Sequence, residues 1–353
     1  MATYPSLDEL KWITMTAMVN NMKSPATALQ RLLFSNHITL ETETIEIDTL
    51  VRGRSMAPFV RKNGEAILVD GYTSKKAIVE APNIRIKRPF TPSQLLFGRQ
   101  PGTGIFINTE GTNQLSAIET HIARDLQGMA DLISNAQEWL VSQAITGTIS
   151  YAVEDDEVFT ITYPKPAGNI VDVSATPWDN DSTSTPDENF HLVKQTIAEE
   201  VGLGTDIAVM GATAAAAFRK NAKVRAMLDN RNISAGQLDF NRQFSADGML
   251  FLGNFCGIPC WEYSRTMAVN GVATDLIRSK YVEFFSTSPA AENTMYYGAI
   301  PDMKALAGQN FQAERFSKSW EVDDPSALMA LVHSRPLPVP RRPGSMFSLK
   351  VLA

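Results

Sequence analysis

Two cysteines, four histidines and a few adjacent acids are the residues of this chain best suited to chemistry, and none stands in a spacing that chemistry requires. Cys256 and Cys260 form a CxxxC within NFCGIPCWEY. A tetrahedral zinc site needs further ligands close by and no other Cys or His adjoins the pair, so they read as two small buried residues in an apolar strand region. So sparing a use of cysteine suits synthesis in a reducing compartment. His37, His121, His191 and His333 lie far apart. His121 and His191 fall on predicted helices, where a surface or half-buried imidazole is ordinary, and His333 falls in an alternating strand. Asp155-Asp156 and Asp323-Asp324 read as solvated acids at loop tips. Phosphate-cradling and nucleophile-elbow motifs are missing, and Gly102-Thr103-Gly104 reads as a turn before a strand at Ile105. The tryptophans are scattered one to an element, as core anchors, and no basic stretch interleaves with aromatics to stack bases. The expectation is a protein that is not an enzyme, with no catalytic, cofactor-binding or metal-binding residue.

Charge is distributed more tellingly. Between Arg52 and Arg99 stand ten basic residues: Arg52, Arg54, Arg61, Lys62, Lys75, Lys76, Arg85, Lys87, Arg88 and Arg99. Only Glu65, Asp70 and Glu80 offset them, a local +7 that leaves −13 for the rest of a chain whose net charge is −6. A basic segment on an acidic body suits self-complementary association, in which opposite potentials steer docking and fix register. The other reading is a solvated strand face kept basic against edge-to-edge pairing. The acidic balance of the whole argues against nonspecific binding to duplex DNA.

The elements that carry these charges follow from periodicity. The chain has 353 residues, 44% of them hydrophobic and 20% charged, enough for two cores, with no apolar run of the ~20 residues that cross a membrane. Residues 39–99 form an extended arm: Ile45, Ile47 and Val51 alternate with Glu46 and Asp48, turns fall at Asn63-Gly64 and Asp70-Gly71, and Ile84 and Ile86 alternate with Arg85 and Lys87. A two-stranded ribbon is marginal in water, so the arm is expected to lie on another copy of the chain. Two short helices precede it, opened by Ser6-x-x-Glu9 and Ser24-Pro25. After it, Leu115, Ile118, Ile122, Leu126, Met129, Ile133, Ala136 and Leu140 recur every three or four residues, the stripe of a helix roughly 50 Å long. Its polar side carries Glu110, Glu119, Asp125, Asp131 and Glu138. An acidic hairpin follows, then a polar boundary, a helix opened by Thr185-Pro186, and a compact α/β unit to about Phe285. The proline-rich end reads as strands, its prolines confined to an edge or turn.

This order of parts resembles the major capsid proteins of tailed phages, most of all the lambda-like major capsid protein E family. The similarity is carried by SPATALQRLLFSNHITLETETIEID (24–48), by the stretch around Trp178, and most by ENTMYYGAIPDMKALAGQNFQAERFSKSWEVDDPSALMALVHSRPLPVPRRPG (292–344).

The resemblance implies an α+β chain of the Hong Kong 97 type: an N-terminal arm (1–50), an extended E-loop (51–99), a peripheral domain in two parts (100–186 and 288–353) with a long spine helix, and an axial domain (187–287). It implies a structural subunit of an icosahedral shell enclosing double-stranded DNA, assembled in the bacterial cytoplasm from hexamers and pentamers. A separate scaffolding protein and a portal are the implied partners, with a decoration protein left open. Arg52, Arg54, Arg61, Lys62, Lys75, Lys76, Arg85, Lys87 and Arg88 become candidate subunit contacts, and Glu119, Asp125, Asp131 and Glu138 a lumen-facing acidic spine. An encapsulin-like compartment is the alternative; a soluble enzyme with an oligomerisation arm is a more distant one.

Overall fold

A computed structural model of the chain describes Thr16, Val19, Asn20 and residues 27–51, 73–91, 114–152, 157–227, 248–269, 271–307, 312–324 and 327–353. The Ser6 and Ser24 caps, the Asn63-Gly64 and Asp70-Gly71 turns, Gly102-Thr103-Gly104 and Asp155-Asp156 lie outside the described residues.

A six-stranded sheet holds one half of the fold. Its strands, in spatial order, are β7 (Ile170–Asp172), β18 (Met346–Lys350), β13 (Tyr281–Phe285), β8 (Ile207–Met210), β10 (Ile258–Glu262) and β9 (Leu250–Phe255). Every residue of β8 is buried, as expected of a strand covered on both faces. Ala208 and Met210 face a cluster with Trp178, with Phe190, Val193 and Ile197 of helix α3 (Pro186–Glu200), and with Phe218 of α4 (Ala212–Lys220). Phe190 meets Phe284 edge-on with ring centroids 4.9 Å apart. Ile207 and Val209 point the other way, into a second cluster.

That second cluster is the hub of the molecule. It gathers α1 (Ala28–Leu33), the C-terminal half of the long helix α2 (Gln114–Thr146), and Ile45 and Ile47 of β2 (Thr44–Val51). Met295 and Tyr297 of β14 (Asn293–Tyr297) and Leu337 and Val339 of β17 (Pro336–Pro340) complete it. β14 runs between β1 (Asn36–Thr39) and β17, so the prolines of β17 sit at a sheet edge, where a missing N–H costs no ladder bond. Upstream on α2, Leu126, Met129, Ala130 and Ile133 pack under a third sheet, whose order is β15 (Phe316–Val322), β16 (Ala327–Ser334), β4 (Ile84–Phe90).

Two expectations are corrected here. The arm does fold partly on its own chain: β2 pairs with β3 (Thr73–Glu80), and Ile45 and Ile47 are buried in the hub. β4, expected within the free arm, is a strand of the body paired along its length with β16. β7 and β18, which lie outside residues 187–287, join the same sheet as β8 and β13. Strand pairing between distant segments decides both corrections, and a period-2 pattern names a strand but not its neighbour. The long helix and the hairpin of β5 (Thr148–Ala152) and β6 (Val158–Thr162) stand where the periodicity puts them.

Cys260 is fully buried in β10, and burial pushes its thiol up to about 12. Cys256 is instead half of a two-residue turn: with Gly257 it has positive φ, 50° and 79°, between paired Phe255 and Ile258. Asn-Gly is the usual signal for such a turn, so a Cys there is read easily as a core residue.

Candidate subunit-contact surface

The contact surface is built outward from Arg335, between β16 and β17. Its side chain is 1% exposed. Nη1 donates to Glu43 Oε2 at 2.8 Å and to the Ala299 carbonyl at 3.2 Å; Nη2 donates to Glu80 Oε1 at 2.9 Å. Glu43 immediately precedes β2 and Glu80 ends β3, so one guanidinium grips both limbs of the ribbon where it leaves the body. A planar fork with fixed donors suits this double grip, which a lysine could not reproduce. Gly298 lets the chain close here, since a Cβ on it would lie 3.1 Å from Ala81 Cβ. Nothing in the sequence singled out Arg335; its two carboxylate partners lie more than 250 positions away.

Above this clamp the ribbon turns a mixed face outward, with Ile78 beside Glu46. Ile45 and Ile47 point into the hub, whereas Ile78, paired with Glu46 in the ladder, is 72% exposed. Two adjoining grooves flank the base of the β5–β6 hairpin, of about 930 and 680 Å³. Glu80, Tyr151 and Phe159 belong to both, and the chain from Ala77 to Lys87 forms one wall. Tyr151 and Phe159 stack at 5.8 Å, and Trp139 of α2 and Trp320 of β15 close the larger groove. Exposed aromatic and aliphatic side chains gathered at one place mark a surface made for contact.

The candidate charges fall into distinct groups. Arg52, Arg54, Arg61 and Lys62 lie outside the described residues. Lys75 and Lys76 stand on β3, opposite Thr49 and Asp48. Arg85 and Lys87 are exposed on β4. Arg88 is engaged within the chain: its Nη1 donates to Asp125 Oδ1 of α2 at 2.8 Å. Of the acids, Glu119 lies on α2, and Asp131 accepts from Gln127 Nε2 at 2.8 Å one turn away.

Glu138 does not face a lumen. It is wholly buried, accepting from the Leu29 and Gln30 amides at 2.8 and 3.0 Å and from the Tyr263 hydroxyl at 2.9 Å. The carboxylate caps the start of α1 from another helix, satisfying two of the amides a helix N-terminus leaves unpaired. Burial raises its pKa, and those donors oppose the rise. On the sequence it looks like its acidic neighbours one or two turns away; only the docking of α1 and Tyr263 separates it.

Two histidines are also held. His37 Nδ1 lies 3.1 Å from Glu314 Oε1, which raises the imidazole's pKa. His333 is buried with Nε2 2.5 Å from Asn83 Oδ1; burial, then the nearby Arg85 and Arg335, lowers its pKa to about 4. Lys165 is enclosed too, donating to the Ile145 carbonyl at 3.0 Å and to Ser348 Oγ at 2.8 Å, which ties the end of α2 to the six-stranded sheet. Among the described residues no three His, Cys, Asp or Glu side chains gather to hold a metal ion, and no helix is long and apolar enough to cross a membrane.

A long helix under a β layer, a two-limbed ribbon clamped at its root and a compact sheet covered on both faces define a shell-forming capsid subunit of the Hong Kong 97 type. The profile of the phage major capsid protein E family matches residues 11–351, and the chain belongs to that family. Among solved structures, a chain assigned as the capsid protein of a prophage in Escherichia coli CFT073 superposes with a TM-score of 0.70 at 20% identity, over 97% of this chain and 99% of that one. A phage-related protein from Bordetella bronchiseptica RB50 gives 0.54 at 10% identity, over 95% of each chain. The SrpI encapsulin of Synechococcus elongatus PCC 7942 gives 0.50 at 10% identity, over 100% of this chain and 96% of that one. A search of curated proteins returned no match. The protein is a structural, shell-forming subunit.

Proposed function

We propose that this chain is the repeating unit of an icosahedral phage shell, arranged as hexamers and pentamers around packaged double-stranded DNA and assembled in the bacterial cytoplasm. The observation that carries this reading is the ribbon β2–β3. Its inner face is fixed in the hub by Ile45 and Ile47, while Ile78 on its outer face is left to solvent. Obligate interfaces bury on the order of 2,000 Å² or more, and the arm beyond Val51 is the segment available to cover a neighbour. In this reading Arg52, Arg54, Arg61, Lys62, Lys75 and Lys76 bring positive charge to an acidic adjacent subunit. Glu119 and Asp131 on α2 line the interior, where like charge keeps DNA from adhering. Residues 100–186 and 288–353 serve mainly as the peripheral part and 187–287 as the axial part. A separate scaffolding protein and a portal act with it.

Electron microscopy of the purified chain tests this. Closed shells, or five- and six-fold capsomers, are expected. Replacing residues 52–72 by a two-residue turn keeps the clamped base and β4 in place, and is expected to give folded subunits that do not close into shells. A stable monomer at high concentration, or normal shells from the shortened arm, would overturn the reading. Shells that hold protein and exclude DNA would favour an encapsulin-like compartment.

A further inference from the structure

The larger groove has a property that the shell reading leaves unused: one of its walls is an open strand edge. Among the described residues the stretch Ile84–Arg88 of β4 pairs with β16 alone, leaving its other edge unpaired. Its groove is bounded by Trp139 on the helix side of the sheet, by Trp320 on the other side, and across the gap by the stacked pair Tyr151 and Phe159. We infer that this trough receives an extended, acidic strand from a different polypeptide, added to the edge of β4.

Three observations fix the chemistry of the occupant. Unpaired backbone groups along a strand edge call for a strand, since main-chain hydrogen bonds are what such an edge offers. The two faces of β4 then set an alternation. Ile84 and Ile86 pack with the cluster under α2; Arg85 and Lys87 lie on the opposite face, in register with His333 and Leu331. A strand laid alongside places every second side chain among the Ile84, Ile86 and Trp139 side, where apolar residues fit, and the others beside Arg85 and Lys87, where carboxylates fit. Neither Arg85 nor Lys87 has a carboxylate partner among the described residues, in contrast to Arg88, which is paired to Asp125.

Charge also argues against a second copy of this chain as the occupant. Its arm tip, residues 52–72, carries Arg52, Arg54, Arg61 and Lys62 against Glu65 and Asp70. Its own β4 edge presents Arg85 and Lys87 again. Either would bring like charge to the trough, and like charges placed opposite one another disfavour a strand pair.

The test uses the full chain, kept dilute and unassembled, so its outcome does not depend on shell formation. Three probes are added: an eleven-residue peptide alternating valine with glutamate, the same peptide with lysine for glutamate, and a peptide of residues 52–72. Binding is read by the fluorescence of Trp139 and Trp320, and by amide hydrogen exchange over residues 84–88. The acidic peptide is expected to protect those amides and to bind about tenfold more tightly than its lysine counterpart, the scale of two surface ion pairs. Arg85→Glu with Lys87→Glu is expected to reverse that preference; both side chains are exposed, and circular dichroism verifies the fold. Equal binding of the two alternating peptides, or no protection at 84–88 in the unaltered chain, would overturn the inference. Tighter binding of the 52–72 peptide would assign the trough to a second copy.

Discussion

Arg335 Nη2 and Glu80 Oε1 are 2.9 Å apart, yet the arginine is 1% exposed and the glutamate 69%. The pair therefore joins the interior of the body to the outer end of β3, and with Glu43 on the other limb it fixes where the ribbon leaves the molecule. A buried cation with partners this exposed does not maximise stability, since its desolvation is repaid only in part. What it does supply is direction: both limbs of the ribbon are held to the body at one point.

Arg335→Met should loosen the ribbon without unfolding the body. Its partners are half exposed and can rehydrate, so the loss should be about 2 kcal/mol, below what a fully enclosed pair would cost. Hydrogen exchange should show amides at 44–47 and 77–80 losing protection while those of β8 and β13 keep theirs. Uniform loss across both sets would mean that Arg335 is ordinary core support and not a clamp.

Glu138→Ala removes the acceptor for the Leu29 and Gln30 amides and strands the Tyr263 hydroxyl. Buried donors left without partners cost about 1–3 kcal/mol each, so a loss of about 3 kcal/mol is expected, with α1 undocked first. The pH dependence has a definite sign. Burial raises the folded pKa above 4.5, so the group's contribution is full below 4.5 and declines as pH rises through the folded value. Urea unfolding of Glu138→Gln, which cannot titrate, should show a flatter profile over that window.

The same residue shows how far the sequence reaches. The stripe from Leu126 to Leu140 identified α2, and the alternation at Ile45 and Ile47 identified a strand with one buried face, because both depend on local period alone. Trp178 as a core anchor and the prolines of β17 at an edge were legible for the same reason. Glu138 was not, since its burial depends on α1 and Tyr263 arriving from 108 and 125 positions away. Arg335 was invisible on identical grounds. For β4 the strand was legible and its owner was not: Ile84 and Ile86 give the period, but pairing with β16 across some 240 residues is a property of the closed fold. The candidate surface was thus half readable, its charges from composition and its grooves only from the structure.

Gly211 is where a single methyl group should do most damage. It precedes α4 at the end of β8, and a Cβ there would lie 2.3 Å from the Arg278 carbonyl oxygen and 2.7 Å from Ser279 Cα. Both are backbone atoms and cannot swing aside, and the Gly211 amide is itself tied to the Tyr281 carbonyl at 3.0 Å. Gly211→Ala should cost about 3 kcal/mol by forcing β8 and the 278–281 turn apart. Thermal unfolding would register this; an unchanged transition would mean that the turn yields more readily than its hydrogen bonds imply.

Acid should separate the two histidines. His37 gains a pKa above 6.5 from Glu314, so its contribution is present below 6.5 and disappears as pH rises past the folded value; Glu314, shifted down by His37, keeps its share until pH falls below 4.5. His333 behaves in the opposite sense. Its folded pKa of about 4 lies below the ordinary 6.5, so its contribution is full above 6.5 and is lost as pH falls towards 4, by about 2 kcal/mol once screening is allowed for. Between pH 6.5 and 4.5 the exposed pair at His37 holds while the buried imidazole beneath Arg85 turns against the fold. His333→Gln should therefore flatten the acid limb of urea stability measured on unassembled protein, and His37→Asn should leave it steep. If His37→Asn flattens it instead, the acid response belongs to the β1 pairing, and the burial of His333 does not control it.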